Sequence, residues 1–404
     1  MLTISALARQ IKPSATLAAG ALAKQLRAQG IEIFDFSLGE PDFATPTEIS
    51  DAADAAVRKG QTRYTASNGM LELRQALSER YAKMYGMAYT SDQIVVTCGA
   101  KHAIALVLAV LCEPGDEVII PSPFWTSYAD MVQMVGAKVV LVPTQFENRF
   151  KLTPDALRAA ITPKTRLLMI NSPCNPTGVV YTRDELAALS QVILNSSLGV
   201  ISDEIYESLT FDGRQATCFA SLHPDLPERT ITVSGASKSY AMTGWRMGWA
   251  AGPEHVIRAM GSVQSQQIGC PSSVSQYAAL KGVTGDQQNV ELMRREFEHR
   301  RDLVCDHFKN LPRTRWYKPE GAFYLFFDVS AYFGQSLHGI VSNDSVDFCK
   351  ALLTKARVNM VPGSAFGAEG FVRMSFASSR QQIEAGLTAL RHFLLNEMLP
   401  NGLS

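Results

Sequence analysis

The stretch RLLMINSPCNPTGVVYTRDELAALSQVILNSSLGVISD, residues 166–203, decides the fold class. It opens with a short, nearly continuous apolar run at 166–171, as expected of a strand covered on both faces. Asn, Ser, Pro and Gly then crowd residues 171–178, the composition of a turn with irregular backbone. A helical stretch at 183–194 follows, and a second strand at 199–203 ends in Asp203. Strand, helix and strand in this order form the unit from which parallel sheets are built.

The same alternation recurs on both sides of this unit. Strands are predicted at 94–97, 117–121, 138–142, 230–234 and 248–251, with helices at 101–111, 128–135 and 154–160. The prediction is an α/β domain around a mostly parallel seven-stranded sheet covered by helices. Beyond residue 285 the texture changes. A charged helix at 290–309, a strand at 322–328, a helix at 346–355, a short strand near 370–376 and a last helix at 380–396 describe a smaller α+β domain. The first 45 residues carry a helix at 15–27 and then a Gly- and Pro-rich segment. They can pack with either domain and are expected on the small one. The expected division is therefore 1–45, 46–285 for the large domain and 286–404 for the small one.

Lysines plus arginines equal aspartates plus glutamates at 38 each, so the formal net charge is zero. That balance argues against a nucleic-acid binder, while leaving room for a local basic pocket. Seven cysteines, Cys98, Cys112, Cys174, Cys218, Cys270, Cys305 and Cys349, are scattered without a C-x-x-C, which reads as reduced thiols. The first residues hold only short apolar stretches broken by Arg9, Lys12 and Lys24. Neither a signal peptide nor a membrane span is read, and a cytoplasmic location is expected. The seven histidines are dispersed and no H-E-x-x-H occurs, so no metal is expected. The dinucleotide and P-loop glycine patterns are also absent.

Four short motifs carry chemistry, each with an ordinary structural explanation when taken alone. In SGASKSYAMTGWRMGW, residues 234–249, Lys238 sits among small residues directly after a strand and Arg246 follows eight residues later. Small neighbours let backbone and hydroxyls approach a ligand, and a lysine that loses its proton easily is a nucleophile. In SDEIYE, residues 202–207, Asp203 ends a strand, where ligands of open α/β sheets bind; a helix N-cap is the ordinary alternative. In NSPCNPTG, residues 171–178, Asn175 offers an amide from a proline-rich turn. In TCGAKHA, residues 97–103, Gly99 permits a tight turn. The backbone amides of Gly99, Ala100 and Lys101 then meet at a helix N-terminus suited to a phosphate.

Together with SLGEPDF, RYT, PFWTSY and KPSAT, these motifs resemble fold-type I pyridoxal-phosphate-dependent aminotransferases. The resemblance is to the bacterial aspartate aminotransferase branch and runs over residues 11–390. It implies a Schiff base between Lys238 and pyridoxal 5'-phosphate, with Lys238 shuttling a proton as general acid and base. It implies that Asp203 keeps the ring nitrogen protonated, that Tyr206 and Asn175 hydrogen-bond the ring oxygen, and that Trp125 stacks on the ring and borders the substrate. Gly99, Ala100, Lys101 through its amide, Ser237 and Arg246 would hold the phosphate, Arg246 gripping two oxygens at once. Tyr64 resembles a tyrosine that reaches the phosphate of a neighbouring subunit, which implies a homodimer with shared sites. Arg373, between apolar neighbours, resembles the arginine that binds the substrate α-carboxylate, assisted by Asn175 and the backbone of Gly39.

Substrate choice rests on fewer residues. Lys101 and the segment holding Ser14 and Thr16 resemble the branch in which this lysine binds a distal carboxylate. That implies aspartate or glutamate as donor and 2-oxoglutarate or oxaloacetate as acceptor, within amino-acid metabolism. Gln267-Ile268-Gly269 departs from a hydroxyl-rich stretch in the family, so an aromatic acid or prephenate stays open. Carbon–sulfur lyases and aminocyclopropane-carboxylate synthases use the same fold and lysine, and the lysine motif does not separate them. The sensor domain of a transcription regulator is disfavoured, since the resemblance starts near Ile11.

Overall fold

The structure is a computed structural model that describes residues 2–11 and 15–397. Its centre is a seven-stranded sheet: β1 Ile94–Thr97, β2 Glu117–Ser122, β3 Lys138–Pro143, β4 Thr165–Asn171, β5 Gly199–Asp203, β6 Thr230–Gly235 and β7 Gly248–Ala251. The spatial order is β1-β7-β6-β5-β4-β2-β3. All neighbours are parallel except β7, which runs antiparallel to both β1 and β6.

Alternation of side chains along each strand feeds two cores. On β4, Leu167 and Met169 join one cluster, with Ile104, Val107 and Leu108 of the helix Ala100–Leu111. Leu168 and Ile170 point the other way, onto Leu186, Leu189 and Ile193 of the helix Arg183–Leu194. Both faces are thus buried, which is why the strands read as unbroken apolar runs. The helix Arg183–Leu194 starts where it does because the Thr182 side chain accepts from the Glu185 amide while the Glu185 carboxylate accepts from the Thr182 amide.

The seven strands lie within a residue or so of their predicted positions. Four helices beside the sheet were not predicted: Thr47–Arg58, Leu71–Tyr85, Glu254–Gln267 and Ser273–Thr284.

The second unit packs the helices Gln288–Phe308, Ser345–Ala356 and Arg380–Leu395 on an antiparallel sheet. Its strand order is Val361–Pro362, Phe371–Ser375, Tyr324–Asp328, Arg315–Trp316. Near the N-terminus, Phe34–Asp35 pairs in parallel with Val358–Asn359, and Ala23 and Ile33 pack on Leu353. The two units are stitched together at residues 320–322. The Glu320 and Gly321 amides donate to the Gly178 carbonyl at 2.8 and 2.9 Å, and the Ala322 amide donates to Leu209 at 2.8 Å. Gly178 has φ +68°, and a Cβ there would lie 2.7 Å from the Tyr324 carbonyl oxygen and 2.8 Å from Pro319 Cβ. Only glycine lets the two backbones approach this closely.

Candidate active site

The carboxyl ends of β1, β4, β5 and β6 converge on one cavity of about 350 Å³, closed from the far side by the second unit. This is where open α/β sheets bind ligands. Lys238 stands on a single helical turn, Ala236–Ser239, directly after β6, and Ser237 beside it also faces the cavity. The ammonium donates to the Gly39 carbonyl. Burial lowers its pKa to about 8; Arg246 and Arg373 add to the effect, while Glu40 and Asp203 oppose it.

At one end of the cavity Gly99 caps the helix Ala100–Leu111, so the first free amides of a twelve-residue helix face inward. Gly99 has φ +83°, and a Cβ there would come 2.5 Å from Arg246 Nη2. The guanidinium therefore packs against the turn, held by the Thr243 carbonyl at 2.7 Å. A helix N-terminus and a cation side by side make an anion seat.

The middle of the cavity is bounded by Asp203 and Trp125. Asp203 is buried at the end of β5 and accepts hydrogen bonds from the Tyr128 hydroxyl and, at 3.2 Å, from the Ile205 amide. No helix follows it, so it is not an N-cap. Burial raises its pKa to about 6, opposed by the Tyr128 and Ile205 bonds and by the charge of Lys238. Tyr128 also meets the Trp125 ring edge-on, with centroids 5.4 Å apart. Lys101 Nζ lies 4.9 Å from the Trp125 centroid, its pKa lowered by burial and by Arg246.

Arg373 forms the opposite wall and is 2% exposed. Its Nη1 donates to Asn175 Oδ1 at 2.9 Å and its Nη2 to the Ser37 carbonyl at 2.6 Å. Nε is buried without a partner, and no ion pair to Arg373 exists among the described residues. Tyr206 lies below, its hydroxyl 2.8 Å from that of Tyr324.

The fold thus brings together Gly39, Ala100, Lys101, Trp125, Asn175, Asp203, Tyr206, Ser237, Lys238, Arg246 and Arg373, with Gly99 directly behind Arg246. It leaves Tyr64 out. That side chain is 93% exposed and borders a separate surface cavity with Cys270 and Pro271. The Thr16 side chain and Ser14 lie outside the described residues. Sequence reasoning missed Tyr128, Tyr324, Ser127 and Thr243. Tyr128 had a signal, since it falls three residues after Trp125 in the quoted PFWTSY. Tyr324, inside the apolar strand YLFFD, had none. No cluster of metal-binding side chains occurs among the described residues.

The family model for aminotransferase class I and II matches residues 31–390. An aspartate aminotransferase of Geobacillus stearothermophilus is 42% identical over 384 residues, covering 95% of this chain and 97% of the relative. An aspartate/prephenate aminotransferase of Cereibacter sphaeroides is 42% identical over 386 residues, covering 95% and 96%. Among solved structures, the aspartate aminotransferase of Rhizobium meliloti superposes with TM-score 0.95 at 38% identity, over 98% of this chain and 100% of that one. The Thermus thermophilus enzyme with maleate gives 0.92 at 39%, over 97% and 100%. The chain therefore belongs to the aminotransferase class I and II family, has its fold-type I architecture, and is an aminotransferase.

Proposed function

We propose that the cavity holds pyridoxal 5'-phosphate and that the protein moves the amino group between L-aspartate or L-glutamate and 2-oxoglutarate or oxaloacetate, in two half-reactions that use the cavity in turn. The observation that carries this reading is Arg373. A buried guanidinium that, among the described residues, is bonded only to neutral oxygens and has an unpartnered Nε needs an anion to neutralise it. A substrate carboxylate supplies one bidentately.

The residues present fit the cofactor. Lys238 would carry it, Asp203 would meet the ring nitrogen, Tyr206 and Asn175 the ring oxygen, and Trp125 the ring face. The anion seat at Ala100 and Lys101, with Ser237 and Arg246, would take the phosphate; Gly99, expected to join it through its amide, supplies the turn instead, since that amide donates to the Thr97 carbonyl at 2.8 Å. When bound, pyridoxal phosphate supplies the carbon that accepts the amino group and a ring that withdraws electrons from the substrate α-carbon. The chain's own groups do the rest. Arg373, held in place by Asn175 and Ser37, orients the α-carboxylate. Lys238 Nζ, whose pKa burial brings to about 8 and which is free once the substrate amine has taken its place, would take the proton from the α-carbon of the donor and, in the second half-reaction, return one to the α-carbon of the acceptor. Asp203, as a carboxylate, keeps a proton on the ring nitrogen. Lys101, a cation beside Trp125 without a carboxylate partner among the described residues, would bind the distal carboxylate.

A second substrate class, prephenate or an aromatic amino acid, is favoured by Ile268. This side chain is 41% exposed on the loop that bonds to the Tyr64 turn through Cys270 Sγ and the Thr65 amide. It would bring an apolar surface to a partner's cavity. The name of the Cereibacter relative supports the same class. The exposed Tyr64, away from the cavity of its own chain, supports a homodimer with shared sites. Seven free cysteines support a cytoplasmic location, and no helix among the described residues is long and apolar enough to cross a membrane.

The test is a panel of amino donors against 2-oxoglutarate, with wild type and Lys101→Ala. Loss of one charge-assisted contact should raise KM for aspartate and glutamate about 10- to 100-fold and leave aromatic donors nearly unchanged. Equal changes for both classes would remove Lys101 from the distal site.

A further inference from the structure

We propose that Tyr324 is a positioning residue that couples the carboxylate site at Arg373 to the phenol of Tyr206, and through it to the ring oxygen of the cofactor; the proposal rests on the cofactor reading given above.

Three observations on separate elements meet at this side chain. Tyr324 is fully buried and borders the cavity. It lies on the strand Tyr324–Asp328, whose antiparallel partner Phe371–Ser375 carries Arg373. Tyr324 pairs with Ser375 and Phe326 with Arg373, so Tyr324 and Arg373 are diagonal neighbours on one face of the sheet. That register puts the Arg373 guanidinium 4.5 Å above the Tyr324 ring centroid. At its tip, the Tyr324 hydroxyl is 2.8 Å from the Tyr206 hydroxyl and has no other hydrogen-bond partner among the described residues. One face of Tyr324 therefore reports on Arg373 and its tip reports to Tyr206.

Two hydroxyls in contact share a single hydrogen. If Tyr206 donates into the cavity, toward a ring oxygen, its own oxygen must accept from Tyr324. A cation over the ring draws electron density from the phenol and makes Tyr324 the better donor. Chained donors polarise one another in the same sense, so Tyr206 then donates more strongly. Binding of a carboxylate at Arg373 neutralises that cation and weakens the chain. Coupling of this kind is reciprocal: what happens at the ring oxygen alters carboxylate affinity by the same factor. Asn175, which accepts from Arg373 Nη1, provides a parallel connection, so loss of Tyr324 reduces the coupling without abolishing it. Among the described residues, Arg373, Asp203 and each other's phenol act on this pair, and Lys238 lines the same cavity.

The experiment is a pH titration of the visible absorbance of the protein loaded with pyridoxal phosphate, with and without saturating maleate. Wild type, Tyr324→Phe, Tyr206→Phe and the double variant are compared. Tyr324→Phe keeps the ring under Arg373 and removes only the donor. Its absorbance midpoint should rise by about half a pH unit, because a less well stabilised ring oxygen holds the shared proton to higher pH. Its maleate-induced shift should fall to about half the wild-type shift. In the Tyr206→Phe background the same change should have no further effect. An unchanged midpoint and maleate shift, or an equal change with and without Tyr206, overturns the proposal. Tyr324→Leu removes the ring face and should weaken maleate binding about tenfold; unaltered binding would refute the stacking half. Thermal midpoints of all variants separate loss of packing from loss of coupling. If wild type gives no pH-dependent visible band on adding pyridoxal phosphate, the cofactor reading fails instead.

Discussion

Asp203 is a buried carboxyl group that, among the described residues, has two hydrogen bonds and no cation in direct contact. Burial raises its pKa from 3.8 to about 6. The folded chain therefore binds this proton more tightly than the unfolded chain. The cofactor-free protein should lose stability from this group as pH rises from about 4 to about 6, and the full cost is present above that window. A shift of about two units corresponds to roughly 3 kcal/mol. Asp203→Asn keeps the shape and removes the titration. Its melting temperature without cofactor should be near that of wild type at pH 4 and above it at pH 7. A constant difference across the window would mean that Asp203 is not held protonated by its site. The same strain is useful in a working enzyme, since a ring nitrogen that carries a proton would relieve it. Arg373 shows the same logic with opposite charge, as a buried cation awaiting an anion.

At the scale of single elements, the turn before the helix Ala100–Leu111 is the most sensitive. Gly99 combines φ +83° with ψ 161°, a region open almost only to glycine. Gly99→Ala adds backbone strain of about 1–3 kcal/mol and pushes on the Arg246 guanidinium. Titration of cofactor into the apo-protein should show affinity lowered about tenfold or more, and undiminished affinity would remove this turn from the phosphate seat. Which elements were legible in the sequence follows from their signals. The inner strands were, because burial on both faces leaves short apolar runs, whereas the edge strand Lys138–Pro143 is largely exposed. The helices Arg183–Leu194 and Pro154–Ala160 were, and Thr182 and Thr153 cap their starts with their side chains. Three of the four missed helices follow Pro46, Met70 and Pro253, with no side-chain cap to mark the beginning. The motifs at strand ends made Lys238, Asp203, Asn175 and Arg246 readable together. Tyr324 was not, since a tyrosine in an apolar strand looks the same whether its hydroxyl meets the Tyr206 phenol at the cavity or another core group.

Across the whole molecule, one cavity needs pieces far apart in the chain. Gly39 comes from the N-terminal segment, the lysine turn from the large sheet, and Tyr324 and Arg373 from the second unit. The stitch of residues 320–322 onto Gly178 and Leu209 fixes the last of these against the first sheet. Tyr64 remains outside this arrangement, 93% exposed beside a surface cavity it shares with Cys270 and Pro271. A motif on one chain cannot tell which chain's site it serves, and only an experiment with two chains decides. Tyr64→Phe removes a donor suited to a phosphate oxygen and should weaken cofactor binding about 10- to 100-fold. Lys238→Ala removes the lysine but leaves Tyr64 intact. A hybrid dimer of the two has one site missing both groups. Its other site joins Lys238 of the Tyr64→Phe chain to the unaltered Tyr64 of its partner. If Tyr64 acts across the dimer, hybrids purified with two affinity tags should recover wild-type cofactor affinity in half of their sites. If Tyr64 serves its own chain, the only site with a lysine lacks its tyrosine, and affinity stays at the Tyr64→Phe level.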